Sequence, residues 1–418
     1  MSTKRAQIEP SISVDRGARD YISGFLLLGI LIGLLGPLLI GWQYHIDADS
    51  KLIGLHFLSL NGGYVLGAAT AQRILLRVAM RTVVLASCAI AVASLLLLSA
   101  VAPPASAGWR VFGLAFLGYS AGLLATGLLY VLEPQFSRST SAVANHAGAL
   151  LGCGFLISTV MIGATYFAGS VQIETALLAV APLIFLLLFL ANKYELARRP
   201  VPLREEENRL RETLRDLRSI AAVLFSLLLF FQFGNEWAIA GWLPLFLIHR
   251  LGANPVWAIF ALGAYFLALL LGRLAVQPLL RRFNHRKMLF WSVFAAMAGY
   301  LLLSLTPWMA GAWIAVVLIG AGFAPIYPLI AETLDDRFSY HPGFYNGLFS
   351  VAITGAMLAP WLLGYVASGL GMEYVMLIPA FGSVAVLIIA LLIMLEARVM
   401  GTRNEAVPEP KPVLASQD

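Results

Sequence analysis

The stretch NKYELARRPVPLREEENRLRETLRDLR, residues 192 to 218, divides the sequence into two long apolar parts. Glu205 and Arg209 stand four residues apart in the order that stabilises a helix, so we expect a surface helix from about Leu203. Its basic face would rest on anionic lipid headgroups. The abrupt change of composition predicts a linker over residues 192–217, and the fold follows from what lies on its two sides.

Six apolar spans precede this linker and six follow it. The chain is 60% hydrophobic and 12% charged, whereas ordinary soluble domains carry roughly 25% charged residues. A soluble core cannot absorb that much apolar surface, but helices that cross a bilayer need about 20 apolar residues each. The sequence therefore predicts an all-α membrane protein with spans near 21–43, 52–74, 82–102, 109–132, 142–168, 171–191, 218–248, 255–278, 287–306, 310–332, 341–369 and 372–396.

Basic residues set the predicted orientation of these spans. With the N-terminus inside, only Lys51, Arg110 and Arg250 of the 28 Lys and Arg residues fall on the outer side, and the other 25 lie inside. That asymmetry matches the positive-inside rule, so the net charge of +6 points to the lipid bilayer as partner and not to nucleic acid. We expect a multi-pass protein of the cytoplasmic (inner) membrane with both termini cytoplasmic. Its predicted units are a tail (1–20), a six-helix bundle (21–191), the linker, a second bundle (218–396) and a tail (397–418).

The two parts repeat each other at a fixed offset of 205 residues. Gly29 matches Gly234, and the same offset joins Gly36 to Gly241, Gly67 to Gly272, Gln72 to Gln277, Arg77 to Arg282 and Arg81 to Arg286. Beyond the third span the offset becomes 201, pairing Asn145 with Asn346 and Gly154 with Gly355. Parallel repeats of six helices predict two pseudo-symmetric bundles with the substrate route between them.

Glu236 is the clearest candidate for a functional residue inside the membrane. Charged side chains are costly at that depth, and its repeat mate is Leu31, so the fold tolerates an apolar side chain there. Gln232 and Asn235 offer amides beside it, and a carboxylate with amides suits a hydroxylated solute. We favour a proton-coupling role for Glu236 over a structural carboxylate satisfied by neighbouring helices.

Other polar or aromatic side chains at membrane depth extend the predicted binding site. Tryptophan could cover the apolar face of a sugar, although packing remains the more frequent role of a membrane tryptophan. The matched asparagines could equally form a structural bond between helices, and the histidine could be a satisfied interior side chain. The candidates are Trp242, Asn61, Asn145, His146, Tyr327 and Asn346.

Two acid–arginine pairs are predicted at the cytoplasmic gate. Glu133 and Glu332 end spans four and ten, where they could meet Arg77 and Arg282 of their own halves. We expect these pairs to act as latches. Proline and glycine signals also predict bends in spans one, seven and ten, at Gly36-Pro37, at Trp242-Leu243-Pro244 and over residues 322–328.

Several motifs carry a resemblance to a known family. GAATAQRILLRVAMR from Gly67 and GRLAVQPLLRRFNHRK from Gly272 resemble the signature loop of the major facilitator superfamily, although the usual aspartate is missing from both. GNEWAIAGWLPLFL, GAGFAPIYPLIAE and SAVANHAGALLG resemble the fucose permease and related sugar porters. The resemblance implies proton-coupled sugar uptake and a sugar-site role for Asn145. The acids that fucose permeases use in spans one and four have no counterpart here, apart from Glu133 at the end of span four.

Three functions remain as hypotheses. The first is a symporter that takes up a sugar or similar polyhydroxylated solute with protons, working as a monomer without cofactor or metal. The second is a proton-driven exporter of amphipathic compounds, which the apolar and aromatic content also suits. The third, a membrane-embedded enzyme, is the least favoured because the sequence offers no nucleophile motif, metal-ligand cluster or phosphate loop.

Overall fold

The computed structural model of the 418-residue chain describes residues 16–46, 49–75, 77–132, 140–166, 171–191, 219–280, 285–335 and 342–405. Within these ranges the chain is helical, and no strand occurs. Eleven helices are long and apolar enough to cross a membrane, and a bent pair at the start of the described chain completes twelve. The all-α twelve-span fold predicted from the sequence is confirmed. The predicted linker and both tails lie largely outside the described residues.

Apart from the last helix, which ends at Glu405 where the sequence predicts residue 396, the spans begin and end within a few residues of their predicted positions. In chain order they are Arg16–Gly33 with Leu35–Gly41, Ser50–Ile74, Met80–Ala100, Ala107–Val131, Thr140–Thr165, Val171–Leu178 with Val180–Ala191, Ile220–Leu251, Pro255–Leu280, His285–Leu305, Met309–Phe323 with Ile326–Asp335, Pro342–Gly369 and Leu377–Glu405. We number them span one to span twelve. A 3₁₀ turn, Met372–Tyr374, precedes the last.

Breaks occur in three spans. Span one bends by 41° at Leu34, and span ten is interrupted between Phe323 and Ile326, both close to predicted bends. Span six is broken at Ala179, which the sequence did not suggest. Span seven continues through Pro244 without interruption, because a membrane helix tolerates proline where neighbouring groups satisfy the freed carbonyl.

Repeat-matched glycines mark where helices touch within each half. A Cβ on Gly154 of span five would come within 2.8 Å of Gly29 Cα in span one. In the second half, a Cβ on Gly234 of span seven would lie 3.4 Å from the carbonyl oxygen of Gly355 in span eleven. The sequence repeat is therefore also a repeat of packing, since small residues let both helix pairs approach closely.

The two halves meet backbone to backbone at the end of the bundle that carries the connections 42–49, 252–254 and 370–371, which we call the closed end. A Cβ on Gly36 of span one would clash with the carbonyl oxygen of Ala240 in span seven. A Cβ on Gly54 of span two would lie 2.8 Å from the carbonyl oxygen of Trp361 in span eleven. Spans five and eight form a further contact between the halves.

Candidate functional site: a cavity between the two halves

A central cavity lies between the halves, at mid-depth in the bundle. Its volume is about 90 Å³, and one water molecule needs about 10–15 Å³. The cavity therefore holds several waters or a small solute. Aromatic and aliphatic side chains from spans one, two, four, five, seven, eight, ten and eleven form its wall: Phe25, Leu28, Ile32, Tyr64, Ala125, Leu129, Ala147, Gly148, Leu151, Phe155, Phe233, Glu236, Trp237, Arg273, Tyr327, Tyr345, Phe349 and Ile353.

An ion pair stands in this apolar wall. Glu236 of span seven lies 3.4 Å from Arg273 of span eight, measured from Oε2 to the guanidinium, and the two side chains are 12% and 6% exposed. Gln232, one helical turn before Glu236, donates its Nε2 to the other carboxylate oxygen at 2.9 Å. Glu236 and Arg273 are oppositely charged residues in the cavity wall, so the pair defines its polar centre.

Arg273 is the central residue that the sequence reading missed. It lies within the predicted span 255–278 but was grouped with the basic loop motif that begins at Gly272, and the structure places it inside Pro255–Leu280 with only 5% of its surface exposed. The guanidinium reaches Gly148 O of span five at 3.5 Å and lies 5.9 Å from the ring centre of Tyr327. The sequence repeat contained a signal that singles out Arg273, because its repeat mate, 205 residues earlier, is the uncharged Ala68.

Three of the predicted site residues are thus brought together: Glu236 and Tyr327 in the wall, and Gln232 bonded to Glu236. Two other predicted residues of span seven, Asn235 and Trp242, contact other helices and not the cavity. The side chain of Asn235 contacts Gly382 in span twelve. Trp242 is fully buried and donates its indole N–H to Pro360 O at 3.0 Å, which is a packing role.

The polar candidates from spans two and five, which are Asn61, Asn145 and His146, are not among the residues that line the cavity. Asn61 donates to Phe57 O at 3.0 Å and to Ala356 O at 3.4 Å, so it bonds span two to span eleven. Asn145 is half-buried and His146 is exposed. Asn346 lies in span eleven, but its side chain is outside the described part, so a bond between the matched asparagines stays a prediction.

The predicted cytoplasmic latches also stay predictions. Arg77 is exposed, and Glu332 lies in the helix Ile326–Asp335 with a side chain outside the described part. Glu133 and Arg282 lie outside the described residues.

Two more charged side chains are buried away from the cavity. Glu174 of span six is 2% exposed, so the second half is not alone in burying an acid. Arg110, expected on the outer side of the membrane, is 6% exposed and donates to Ala105 O at 2.8 Å and to the hydroxyl of Tyr44 at 3.2 Å. In the described part of the chain, no group of three or more His, Cys, Asp or Glu side chains could hold a metal ion.

At the closed end, His45 and His249 bring two titratable rings from opposite halves near each other. His45 lies in the connection after span one, and His249 is in the last turn of span seven. Burial lowers the pKa of His45, and the charge of His249 lowers it further, while a hydrogen bond to the Ile40 backbone opposes the shift. The neutral form of His45 is therefore favoured while the halves are in contact.

Comparison with known proteins agrees with this architecture. The family model described as Major Facilitator Superfamily matches residues 21–354. The crystal structure of the E. coli fucose:proton symporter is 18% identical with a TM-score of 0.64, covering 90% of this chain and 98% of its own. The D-xylose-proton symporter is 13% identical with a TM-score of 0.70, covering 89% and 96%. The nucleoside transporter NupG is 15% identical with a TM-score of 0.63, covering 90% and 99%. No curated protein matches by sequence.

Two six-helix bundles around a central cavity define a multi-pass membrane transporter. The chain belongs to the major facilitator superfamily. At these low identities, the three solved structures support the fold and leave the solute to be argued from the cavity itself.

Proposed function

We propose that the protein is a secondary active carrier, and not an enzyme, that takes up a sugar or similar polyhydroxylated solute together with protons by alternating access. The observation that carries this proposal is the Glu236–Arg273 pair in a cavity whose wall comes from both halves. Carboxylate and guanidinium groups bond hydroxyls, and the rings of Trp237 and Tyr327 can cover the apolar face of a sugar. Two of the similar folds are those of the fucose:proton symporter and the D-xylose-proton symporter.

The proposal assigns the proton to Glu236. A carboxylate buried among apolar groups can change its protonation state as its surroundings change, which is what a coupling site requires. The working unit is one chain in the cytoplasmic membrane, with both termini in the cytoplasm as the basic residues favour.

Uptake into proteoliposomes tests this function. An inward proton gradient should drive accumulation of a solute chosen from sugars, sugar acids and nucleosides, and Glu236→Gln should abolish accumulation while leaving exchange across the membrane. Glu174→Gln is the matched control, because it neutralises a buried acid that does not line the cavity. Full gradient-driven accumulation in Glu236→Gln would remove the coupling role.

The second candidate is a proton-driven exporter of amphipathic compounds. It is favoured by the cavity wall, which is mostly aliphatic and aromatic. Binding of hydrophobic cations, measured by thermal shift with no response to any hydroxylated solute, would establish this alternative and overturn the first.

A further inference from the structure

The guanidinium of Arg273 is incompletely bonded in the cavity. Among the described residues it has two polar contacts, to Glu236 Oε2 and to Gly148 O, which are long at 3.4 and 3.5 Å, and its Nε is buried with no partner there. Charge-assisted bonds between a guanidinium and a carboxylate are usually about 2.7–2.9 Å and often bidentate. Arg273 therefore keeps donor capacity for a ligand at the wall of the cavity.

Glu236 can be satisfied without Arg273. Its other carboxylate oxygen already accepts a hydrogen bond from Gln232 at 2.9 Å. The amide oxygen of Gln232 is buried and has no partner in the described part of the chain, so the same side chain offers an acceptor to a protonated carboxyl. A proton on Glu236 would thus find a partner on its own helix.

Charge balance then restricts the solute. With an empty cavity, Glu236 and Arg273 cancel each other. If a proton enters with a neutral solute, Arg273 remains as an uncompensated buried cation, a state that is strongly disfavoured. If a proton enters with an anion, the anion replaces Glu236 as the partner of Arg273 and the cavity stays neutral.

We propose that the solute is a hydroxylated carboxylate of the sugar-acid class, whose carboxylate pairs with Arg273 while the co-transported proton sits on Glu236. This rests on the proposed function, which it narrows from sugars in general to their acids. One proton and one monoanion cross together, so transport carries no net charge.

Other titratable groups face the pair from the packed helices. They are Tyr265 of span eight, Tyr300 of span nine, Tyr327 of span ten and Tyr345 of span eleven. Tyrosines are neutral over the physiological pH range. The pH response of anion binding between pH 5 and 8 should therefore belong to Glu236.

Matched pairs of solutes test the inference. D-Glucuronate should stabilise the protein against thermal unfolding more than D-glucose does, and it should compete more strongly for uptake. D-Galacturonate should exceed D-galactose in the same two measurements. A lost charge-assisted pair corresponds to roughly a 10- to 150-fold difference in affinity. Binding of the acid should rise as pH falls, and uptake driven by a pH gradient should be unchanged when valinomycin and potassium alter the membrane potential.

Three variants divide the roles. Arg273→Gln should lose the preference for the acid, whereas Arg250→Gln, which removes a cation at the end of span seven, should keep it. Glu236→Gln should bind the acid with little pH dependence, because its side chain is neutral at every pH. At high pH, Glu236→Gln should therefore bind the acid more tightly than the unchanged protein does. This result tests the inference even if Arg273→Gln fails to fold.

Two outcomes would overturn the inference. One is equal or better binding of the neutral sugar, with uptake that responds to membrane potential; the proposed function would then stand. The other is acid binding that survives in a folded Arg273→Gln protein. Binding of hydrophobic cations alone would instead remove the proposed function together with the inference.

Discussion

Replacing Gly54 by alanine should move the protein out of the conformation in which the halves meet at the closed end. The new Cβ would lie 2.8 Å from Trp361 O and 3.2 Å from its Cα, where 3.4–4 Å is ordinary contact. Forcing a methyl group into a packed interface costs about 1–3 kcal/mol. Because spans two and eleven belong to different halves, separation of the halves relieves this strain. The equilibrium should shift toward the separated conformation by about 5- to 150-fold.

Gly322→Ala provides a matched control within one half. Its Cβ would lie 2.6 Å from Ala296 N and 2.8 Å from Ser292 O, both in span nine. Spans nine and ten are neighbours in the same bundle, so separation of the halves does not relieve the strain. Alanine gains about 1 kcal/mol over glycine in a helix at either position, so this contribution does not distinguish the variants. We expect Gly322→Ala to lower the thermal unfolding temperature without shifting the conformational equilibrium.

Electron–electron double resonance can measure that equilibrium directly. Spin labels at Ile46→Cys and Leu370→Cys, positions that are 73% and 68% exposed, would report the separation of the halves at the closed end. The native Cys88 and Cys153 would first be replaced by alanine. Gly54→Ala should increase the long-distance population. An unchanged distance distribution, or the same increase in Gly322→Ala, would refute this view of the contact.

Two further predictions concern the cavity and the closed end. Trp237→Phe should weaken solute affinity because Trp237 lines the cavity. Trp242→Phe should keep the affinity but cost about 1–3 kcal/mol of stability, because the buried carbonyl of Pro360 loses its donor. Thermal unfolding measured with and without solute separates the two effects. Because the pKa of His45 is lowered where the halves meet, neutral His45 stabilises the closed end, and this stabilisation is complete above the ordinary histidine pKa of about 6.5. The stabilisation is lost as the pH falls and His45 gains a proton near His249. The same spin-label pair should therefore report opening on acidification, and His45→Gln should flatten that response if His45 is its source.

The number and positions of the helices could be predicted from the sequence because they depend on local properties. A run of about 20 apolar residues has the length needed to cross a bilayer, whatever its neighbours. Glycines matched by the repeat, such as Gly154 and Gly355, are needed where helices touch, and the structure shows both in close helix contacts. The positions of the spans therefore follow from composition, and the repeat identifies glycines that the structure places at helix contacts.

The orientation of each side chain was harder to predict because it depends on how a helix is rotated about its axis. Gln232 and Glu236 stand four residues apart and share one face of span seven, which packing turns toward the cavity. Asn235 is one residue before Glu236, about 100° around the helix, and it contacts span twelve instead. Sequence alone identified the polar stretch but not which of its residues would face inward.

Arg273 was missed for a different reason. It lies near the end of the predicted span 255–278, next to the basic residues of the following loop, and it was counted with them. The structure shows that span eight extends to Leu280 and buries the guanidinium seven residues before its end. The comparison with repeat mates that singled out Glu236 against Leu31 also singles out Arg273 against Ala68, because neither charge has a counterpart in the first half.

The pair of Glu236 and Arg273, which has no counterpart in the first half, also links ligand binding to movement of the halves. Arg273 contacts Glu236 within its own half and Gly148 O in the other half, so its guanidinium is part of the contact between them. Under the proposal, a bound carboxylate competes for these donors. A ligand shifts a conformational equilibrium only if it binds the two conformations unequally. An anion that draws Arg273 away from Gly148 would meet this condition wherever the contact between spans five and eight differs between the two conformations.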